Sequence, residues 1–468
     1  MNLEGKRVTV VGTGVSGIGS ATLLDKVGAV ITMYDGSDKA DRAVIEEKLK
    51  AAGVKSDVRY VFGDTAALFD TTDLAVISPG VPIDSEIVLA FKERQIPVWG
   101  EIELAYNYEK GTVYAITGTN GKTTTTTLVG EIMKKHNPET FVVGNIGISY
   151  TGEALKTSEK SITVAEISSF QLESTIDFAP KGTAILNITP DHLNRHYTLD
   201  NYIQVKESIT KNEPEDGFCV LNYDDEALRA FGEKRIKEGR GKTIWFSRNV
   251  KKLPGAYLDG DCIFYGKSKE DVQKVMSTSE MFLFGNHNYE NVMAAICIAS
   301  EAGVPMETIV SVIRAFRGVE HRIEWVRDLD GVTYYNDSKG TNPDSSIKAL
   351  QAMSRPTLLI AGGYDKKSEF DGFIEAFDGK VKMMALIGTT ADKIEECARK
   401  HGFTNIVRCA DLKEATIACR DAAESGDVVL LSPACASWDQ FTGYEERGRL
   451  FKQYVNEFMD AKQSTKLR

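Results

Sequence analysis

The sequence lacks any run of about 18 apolar residues, the length that a membrane-spanning helix needs. Its first residues, MNLEGKRVTVVGTG, have neither the apolar core nor the cleavage site of a signal peptide. The 7 cysteines are an odd number, widely scattered and without a CxxC pair. Disulfide bonds and structural zinc are therefore not expected, and we predict a reduced cytoplasmic protein without a membrane span.

Basic residues are also fewer than acidic ones, at 56 against 67, and the net charge is −11. This balance argues against sequence-independent binding to nucleic acid or to an anionic membrane, although a local basic site for phosphates is compatible with it. A hydrophobic content of 42% is that of an ordinary globular protein. The length of 468 residues predicts about two to four domains.

Apolar strand patterns alternate with helical patterns along the whole chain, which predicts a parallel α/β architecture. The sequence contains no internal repeat and no low-complexity segment. Two segments, residues 96–103 and 314–322, resemble domain boundaries, because a series of strands and helices ends at each. We therefore expect three domains, at residues 1–100, 101–316 and 317–468.

Residues 113–127, VYAITGTNGKTTTTT, carry the most informative pattern. A buried strand is followed by a turn that contains Gly118 and Gly121, and Lys122 and Thr123 then begin a helix. Such a loop presents backbone N–H groups to phosphates, while its lysine reaches the outer phosphates and its threonine hydroxyl can bind Mg²⁺. The strict phosphate-loop pattern has glycine where Ile116 stands. The segment predicts binding of a nucleoside triphosphate.

A second glycine turn lies near the N-terminus, where Gly12 to Gly17 form a GxGxxG pattern and Asp35 follows about 20 positions later. The pattern is typical of NAD-binding folds, but it suits any phosphate placed over a strand–helix turn. Gly17 has the alternative role of letting helix and strand pack closely. Another strand ends at Ser78 on the same predicted sheet edge, so the two loops are expected to form one pocket.

In the central segment, four apolar strands in series end in polar clusters. The clusters are the phosphate loop, the GNIG sequence with Asn145, the EISS sequence with Glu166, and the TPDH sequence with His192. Parallel strands place their carboxyl ends at one edge of a sheet. Thr123 and Glu166 offer the hard oxygen ligands that Mg²⁺ prefers, and His192 is a candidate metal ligand or substrate contact.

Downstream, Asn288 and Asn291 share a helix face, and their amides suit the edge of a purine. In the last segment, polar groups again follow strands. Arg322 and Lys339 are candidates for stabilising phosphate charge. The candidates for holding a carboxylate-rich substrate are Lys339, Thr341, Lys366 and Ser437.

Together these motifs resemble those of the Mur ligase family, the ATP-dependent amide-forming enzymes of peptidoglycan assembly. The motifs, which extend over nearly all of the chain, are TGTNGKT, GNIG, EISSFQLE, NITPDHLNRH, the tyrosine and lysine of Tyr202 to Lys206, GNHNYENVMAA, HRIE, NDSKGTNP, AGGYDKK and LLSPACASWDQFTGYEERG. The last motif and the short first domain are similar to those of the D-glutamate-adding member. The family loop is TGTNGKT, so Ile116 is no departure from it.

The resemblance implies a Rossmann-like N-terminal domain, a central domain of the phosphate-loop ATPase type with a parallel sheet, and a Rossmann-like C-terminal domain. It implies ATP contacts at Gly118, Thr119, Asn120, Gly121, Lys122, Thr123, Thr124, Asn288, Asn291, Arg322 and Asp337. It implies UDP-sugar contacts at Val15, Asp35, Ser78, Asn145 and His192, and D-glutamate contacts at Lys339, Thr341, Lys366, Ser437 and Tyr444.

The implied reaction joins D-glutamate to UDP-N-acetylmuramoyl-L-alanine through an acyl phosphate, giving ADP and phosphate. Its implied catalytic residues are Lys122, His192, Lys206, Arg322 and Asp337, and its implied Mg²⁺ ligands are Thr123, Glu166, His192 and Lys206. Two Mg²⁺ ions are expected, and Lys206 matches a position that relatives carry as a carbamylated lysine. Carbamylation needs a neutral amine and hence a depressed lysine pKa. The expected partners are small molecules only, and we expect a monomer.

Three alternatives stay open from the sequence. The nearest is another amino-acid-adding member of the family or a folylpolyglutamate synthetase, against which the PACASWDQF segment and the short N-terminus weigh. A NAD-dependent dehydrogenase would explain the first glycine turn but not the TGTNGKT loop or the acidic clusters. A nucleotide-binding regulatory protein without catalysis would not need every charged residue of the pattern.

Overall fold

The computed structural model describes residues 1–63, 65, 68–145, 148–283, 285–364 and 368–459. These residues form two compact units. The first consists of Met1–Met281 and Asn286–Ala315, and the second consists of Phe282–Gly285 and the chain from Phe316 onward. The first unit contains two sheets and the second unit contains one. The limits predicted above for three domains stay a prediction.

The first sheet has five strands in the order β3-β2-β1-β4-β5, and all of its strand pairs are parallel. Its strands are β1 (Arg7–Val11), β2 (Val30–Asp35), β3 (Arg59–Phe62), β4 (Leu74–Ile77) and β5 (Val98–Gly100). The helices of this segment are α1 (Val15–Lys26), α2 (Arg42–Ala51), α3 (Glu86–Glu93) and α4 (Glu101–Tyr106). The order is that of a Rossmann-like sheet, as predicted.

The second sheet has nine strands in the order β14-β13-β12-β11-β10-β9-β6-β8-β7. Its strands are β6 (Thr112–Thr117), β7 (Thr140–Gly144), β8 (Ile162–Glu166), β9 (Gly182–Ile185), β10 (Phe218–Asn222), β11 (Lys242–Ser247), β12 (Gly255–Asp259), β13 (Cys262–Gly266) and β14 (Gln273–Ser277). The helices are α5 (Lys122–His136), α6 (Tyr150–Glu153), α7 (Ser169–Leu172), α8 (Leu193–His196), α9 (Leu199–Glu207), α10 (Glu226–Lys237), α11 (Asn286–Glu301) and α12 (Met306–Ala315).

Strands β6 to β12 of this sheet pair in parallel, whereas β12, β13 and β14 pair antiparallel. The sequence interpretation included only the parallel part. The strands that carry the predicted polar clusters are β7, β8, β6 and β9, and they are neighbours in the sheet. Their clusters therefore do meet at one edge. The fourth strand ends at Ile185, so Asn187 lies in the following loop.

The third sheet belongs to the second unit and has the order β15-β16-β20-β17-β18-β19. Its strands are β15 (Glu324–Leu329), β16 (Val332–Asn336), β17 (Thr357–Gly362), β18 (Val381–Ile387), β19 (Ile406–Arg408) and β20 (Val428–Leu431). The helices are α13 (Pro343–Ala352), α14 (Asp371–Glu375), α15 (Ala391–Lys400), α16 (Leu412–Ala422) and α17 (Tyr444–Glu457). Only the edge strand β15 is antiparallel to its neighbour.

Four short 3-10 helices complete the described structure, at Phe69–Thr71, Ala154–Lys156, Ser208–Thr210 and Thr278–Glu280. Central strands such as β4, β9 and β20 are buried along their whole length, which is typical of parallel sheets covered by helices on both faces. Among the residues that the structure describes, no helix is long and apolar enough to cross a membrane. All seven cysteines are free thiols.

Candidate functional site

The loop between β6 and α5 requires both of its glycines. Gly118 and Gly121 have φ values of 149° and 83°, a region that residues with a side chain rarely adopt. A Cβ atom on Gly121 would also lie 2.2 Å from Oδ1 of Asn291. The backbone is thereby folded into a tight turn whose helix begins at Lys122. Such a turn presents N–H groups to an anion at the carboxyl end of the strand.

Asn187, which the sequence interpretation missed, fixes the far side of this loop. Its Oδ1 accepts a hydrogen bond from the Asn120 amide at 2.8 Å, and its Nδ2 donates to the Asn120 carbonyl at 3.1 Å. Its own carbonyl accepts a hydrogen bond from the Thr119 amide at 2.9 Å. An amide side chain directly after a buried strand is the signal that could have identified it. Asn187 thus positions the turn before any ligand binds.

Two lysines converge on the same carbonyl of the loop. Nζ of Lys122 donates to the Gly118 carbonyl at 2.8 Å, and Nζ of Lys206 donates to the same oxygen at 2.9 Å. Lys206 is fully buried, and this burial, followed by the nearby Lys122 charge, lowers its pKa from 10.5 to about 7. Tyr202 lies beside the pair, with its ring centroid 4.6 Å from Nζ of Lys206. A large share of Lys206 is therefore neutral amine near neutral pH.

Glu166 ends β8 next to the phosphate-loop strand, where it is the register partner of Ile116. It is 1% exposed, and its Oε1 accepts a hydrogen bond from Nδ2 of Asn145 at 3.0 Å. Its Oε2 is buried and has no hydrogen-bond partner among the described residues. An unpaired buried carboxylate oxygen is costly unless a cation compensates it. A hard cation such as Mg²⁺ fits this oxygen, with the half-buried Thr123 as a second oxygen donor.

The two histidines of the PDHLNRH segment differ in their surroundings. His192 has a φ of 52° and its side chain is 51% exposed. His196 is buried, with Nε2 3.0 Å from Oγ of Ser169 and Nδ1 3.3 Å from Oε1 of Glu173. Burial lowers the pKa of His196. Both nitrogens of His196 are thus occupied within the protein, so His192 is the histidine that can receive a ligand.

The N-terminal glycine turn and the loop after β4 lie side by side, as the sequence predicts. A Cβ atom on Gly12 would lie 2.7 Å from Oγ of Ser78, an atom that is buried and has no hydrogen-bond partner among the described residues. Asp35 accepts a hydrogen bond from the Thr13 hydroxyl at 2.6 Å. Val15 begins α1 and is 86% exposed. The turn is therefore open to a ligand at its helix N-terminus.

Gly17 lets the first glycine turn pack closely against α1. A Cβ atom at this position would lie 1.9 Å from the Gly12 carbonyl oxygen, so only glycine fits between the turn and the helix. The alternative that the sequence offered for Gly17 is confirmed.

The two asparagines predicted to contact a purine edge, Asn288 and Asn291, lie near the phosphate loop. Nδ2 of Asn291 donates to Oδ1 of Asn288 at 3.3 Å, and Asn291 is 5% exposed. Because the Asn291 amide lies against Gly121, this pair is placed beside the phosphate loop. The sequence prediction that they share a helix face holds, since both lie in the first two turns of α11.

In the second unit, Asp337 follows β16 and is buried. Its Oδ2 accepts a hydrogen bond from the Ser432 hydroxyl at 2.6 Å, and its Oδ1 accepts one from the Ile323 amide at 3.3 Å. Burial raises the pKa of Asp337 to about 7, while Ser432 and the Arg322 charge act in the opposite direction. Ligand groups that approach this carboxylate would meet a side chain already fixed in position.

Arg447 organises the loops around Asp337, although the sequence interpretation did not single it out. Its guanidinium is fully buried and donates to the Ser338 carbonyl at 2.8 Å and to the Cys435 carbonyl at 3.2 Å. Burial lowers its pKa to about 10, so it stays charged at neutral pH. It therefore ties the loop after β16 to the loop after β20. Its position on the buried face of α17, with Phe451 and Val455, is the available sequence signal.

Of the predicted D-glutamate contacts, Lys339 and Tyr444 lie close together, with Nζ 5.9 Å from the ring centroid. Thr341 donates its amide to the Lys339 carbonyl at 2.8 Å. Ser437 is 2% exposed and follows the Cys435–Ala436 segment that Arg447 binds. Lys366 lies outside the described residues. The structure thus places Lys339, Thr341 and Tyr444 in one neighbourhood and Ser437 in the adjoining loop.

A glycine turn with lysine and threonine, beside a buried acidic oxygen, defines an α/β protein of the class that binds nucleoside triphosphates. Three family models match the chain: the Mur ligase MurD-like N-terminal domain at residues 6–100, the Mur ligase middle domain at 116–299 and the Mur ligase glutamate ligase domain at 321–435. The chain belongs to the Mur ligase family, and the dehydrogenase alternative is thereby set aside.

Similar proteins extend over almost the whole chain. The UDP-N-acetylmuramoylalanine–D-glutamate ligase of Lachnospira eligens is 54% identical over 97% of this chain and 100% of its own length. The enzyme of the same name from Clostridioides difficile is 46% identical over 97% of this chain and 99% of its own length. The UDP-N-acetylmuramate-alanine ligase of Thermotoga maritima is 19% identical, with a TM-score of 0.58 over 96% of this chain and 99% of that one, and supports the fold.

Proposed function

We propose that this protein catalyses the ATP-dependent addition of D-glutamate to UDP-N-acetylmuramoyl-L-alanine in peptidoglycan precursor synthesis. The substrates are proposed because relatives at 44–54% identity over nearly the full length carry the name UDP-N-acetylmuramoylalanine–D-glutamate ligase. The observation that carries the reaction class is the convergence of Lys122, Lys206 and the buried Glu166 around the phosphate loop. Such a set suits the transfer of a phosphoryl group from ATP.

In the proposed reaction, a carboxylate oxygen of the L-alanyl group attacks the γ-phosphorus of ATP, and ADP leaves. The product is an acyl phosphate. The amine nitrogen of D-glutamate then attacks the acyl carbon, loses a proton and expels inorganic phosphate with the bridging oxygen. The first step turns a poor leaving group into a good one, and the second step forms the amide bond. The enzyme contributes mainly positioning and charge neutralisation.

ATP is assigned to the phosphate loop and to α11. Backbone amides from Gly121 to Thr124 would bind phosphate oxygens, whereas those of Thr119 and Asn120 donate to Asn187 and hold the loop in shape. Lys122 would neutralise the charge that develops during transfer. When ATP binds, Lys122 would give up its hydrogen bonds to the loop carbonyls and donate to phosphate oxygens instead. Asn288 and Asn291 would contact the adenine edge, and Arg322 and Asp337 are also proposed as ATP contacts.

Mg²⁺ ions are proposed at two sites, held by Thr123, Glu166, His192 and a carbamylated Lys206. The partnerless oxygen of Glu166 and the half-exposed ring of His192 fit this assignment. Bound there, Mg²⁺ would neutralise phosphate charge. The Lys206 carbamate would add an anionic oxygen ligand, and the lowered lysine pKa supplies the neutral amine that reacts with CO2.

The UDP-sugar is assigned to the N-terminal glycine turn, where Val15, Asp35, Ser78 and Asn145 would contact it. D-Glutamate is assigned to Lys339, Thr341, Lys366, Ser437 and Tyr444, whose cations and hydroxyls suit two carboxylates. We further propose that the enzyme is a cytoplasmic monomer without nucleic-acid or membrane partners.

The test is phosphate release from ATP and Mg²⁺ in the presence of UDP-N-acetylmuramoyl-L-alanine, with D-glutamate, L-glutamate, L-lysine or meso-diaminopimelate added in turn. We expect release with D-glutamate only, in equal amount to an amide product identified by mass spectrometry. Release with another amino acid would keep the reaction class and overturn the substrate assignment.

Lys122→Ala serves as the negative control for that assay, because it removes the loop cation and keeps both glycines of the turn. We expect it to lower the rate of phosphate release by about 10²–10³-fold, the usual cost of losing one group that stabilises transition-state charge. Absence of release from the unmodified enzyme with every amino acid would exclude the ligase.

A further inference from the structure

A cluster of three unlike side chains lies in the second unit, and none of the three residues is assigned above. Asp371 begins α14, Cys397 lies near the end of α15, and His401 follows that helix directly. We name these three residues the Asp–Cys–His cluster. One potential ligand atom from each residue lies within 4.8 Å of those of the other two.

The geometry of the Asp–Cys–His cluster follows from the ends of two helices. Cys397 and His401 are four residues apart, and His401 is the C-cap of α15, so both lie on the same side of the last helical turn. Asp371 reaches them from α14, and its Oδ1 is 2.9 Å from Nε2 of His401. Zn²⁺ bonds sulfur at about 2.3 Å and nitrogen or oxygen at about 2.0–2.2 Å. Tetrahedral ligands at those bond lengths are themselves about 3.3–3.7 Å apart, so side-chain movements of about 1 Å would complete the site.

The three donors differ from those around the phosphate loop. A thiolate, an imidazole and a carboxylate together are typical of zinc and related transition metals, whereas Mg²⁺ prefers oxygen alone. The set supplies three protein ligands, which leaves a fourth position for water. The sequence does not reveal the Asp–Cys–His cluster by its spacing, because it contains no CxxC pair and because Asp371 is supplied by a different helix.

Nearby charges favour a cation at this position. Burial raises the pKa of the Cys397 thiol, and the negative charges of Asp371 and Glu369 raise it further. Lys400 acts in the opposite sense, but its ammonium is paired with Glu396 at 3.1 Å. Arg399 is likewise paired with Glu395, at 2.8 Å. Of the charged groups, Asp371 acts most strongly on the thiol, and its carboxylate attracts a cation.

We propose that Asp371, Cys397 and His401 bind one zinc-class divalent metal ion, which joins α14 to α15. On binding, the thiol of Cys397 releases one proton and its sulfur bonds the metal. The hydrogen bond between His401 and Asp371 breaks, the Nε2 proton of the neutral imidazole is replaced through solvent by one on Nδ1, and Nε2 and a carboxylate oxygen of Asp371 then bond the metal. The metal keeps its oxidation state. Because the cluster contains no proposed ligase residue, the site stands whether or not the proposed function does.

The test uses Co²⁺ as a spectroscopic substitute for Zn²⁺ on the full-length protein under reducing conditions. Thiolate ligation to Co²⁺ gives a near-ultraviolet charge-transfer band, to which metal at the oxygen-rich ATP site would not contribute. We expect this band in the unmodified protein, with saturation at one Co²⁺ per chain and displacement by Zn²⁺. Cys397→Ser should abolish the band. Cys262→Ser, which removes a partly exposed thiol 3.2 Å from the Asp261 carboxylate, should keep it.

The variants His401→Gln and Asp371→Asn test whether metal binding needs the whole Asp–Cys–His cluster or only a reactive thiol. Each should weaken Co²⁺ binding by about tenfold or more, since each removes a ligand. A second readout is alkylation by iodoacetamide, followed by peptide mass spectrometry. Zn²⁺ should slow modification of Cys397 at least tenfold and leave Cys262 unaffected in the same sample. A charge-transfer band that persists in Cys397→Ser, or equal alkylation of Cys397 with and without Zn²⁺, would overturn the proposal.

Discussion

The chain contains two glycine turns that share one backbone arrangement but differ in the side chains around them. In both, a parallel strand ends, a glycine adopts positive φ, and a helix begins with its N-terminus at the carboxyl edge of the sheet. The first turn uses Gly12 at φ 100°, and the second uses Gly118 and Gly121. By backbone alone, either turn could bind a phosphate group.

The side chains separate the two turns. At the first, Val15 opens the helix, and the acidic Asp35 is already occupied by the Thr13 hydroxyl. At the second, Lys122 opens the helix, and Glu166 has a buried oxygen without a hydrogen-bond partner among the described residues. A glycine turn supplies backbone donors only, whereas phosphoryl transfer also needs cations and metal ligands. A GxGxxG pattern therefore predicts a phosphate-binding fold more reliably than it predicts a cofactor.

The largest expected difference between the turns comes from amidating their carboxylates. Glu166→Gln should lower kcat for phosphate release by about 10³-fold, because a metal ion contributes several kcal/mol of charge stabilisation. Asp35→Asn should instead raise KM for the UDP-sugar by about tenfold at nearly constant kcat, as loss of ground-state binding does. Steady-state phosphate release with each substrate varied in turn measures both.

Both substitutions preserve the shape of the side chain, so thermal unfolding monitored by circular dichroism should give midpoints close to that of the unmodified protein. Equal kcat losses in Glu166→Gln and Asp35→Asn would contradict the division of roles between the two turns.

A smaller difference is expected from adding a methyl group to each turn. Gly121→Ala places a side chain at φ 83° and against Oδ1 of Asn291, and residues with a Cβ pay about 1–2 kcal/mol for that backbone region alone. We expect KM for ATP to rise by about tenfold or more. Gly14→Ala is the matched control, because no atom lies within 4 Å of its Cβ position. It should leave KM for ATP and the unfolding midpoint unchanged.

If Gly121→Ala binds ATP normally, the tight turn is not the binding determinant that its geometry indicates. Isothermal titration with a nonhydrolysable ATP analogue distinguishes this from a purely catalytic defect.

Much of the fold was predictable because parallel strands bear local signatures. The apolar runs that end at Glu166 and Thr117 are strands, and their register places the two ends at one sheet edge. The phosphate loop, Glu166 and His192 could therefore be placed at that edge from the sequence alone. The antiparallel strands β13 and β14 were not predicted. They extend the sheet at the end far from the loop, where no functional motif marks them.

The residues that the sequence analysis missed were missed for one physical reason, which is that each acts through a partner distant in sequence. Asn187 bonds the loop amide of Asn120, and Arg447 bonds the carbonyl of Ser338. Residue type suggests solvent exposure for an arginine on a helix, and only the tertiary fold reveals that its carbonyl partners are buried. The two histidines of one segment were similarly indistinguishable before burial separated His192 from His196.

The smallest expected effect concerns Lys206, the α9 lysine that donates a hydrogen bond to the Gly118 carbonyl of the central turn. Burial lowers its pKa from 10.5 to about 7, so its amine is increasingly neutral above pH 7 and increasingly protonated below it. In ¹³C-bicarbonate, we expect a carbamate NMR signal that is present at pH 8 and declines as the pH falls through about 7. Lys206→Arg should lack the signal, and Lys122→Arg should keep it.

The same lowered pKa has a consequence for stability in CO2-depleted buffer. Between pH 7 and 10.5 the unfolded chain binds a proton at Lys206 that the folded chain does not, so the free energy of unfolding rises with pH across this range. Lys206→Met removes that contribution, and its free energy of unfolding should therefore rise less between pH 7 and pH 9 than that of the unmodified protein. Urea unfolding at the two pH values measures the difference. Equal pH dependence in both proteins would mean that Lys206 is solvated and charged, and would remove the physical basis for its carbamylation.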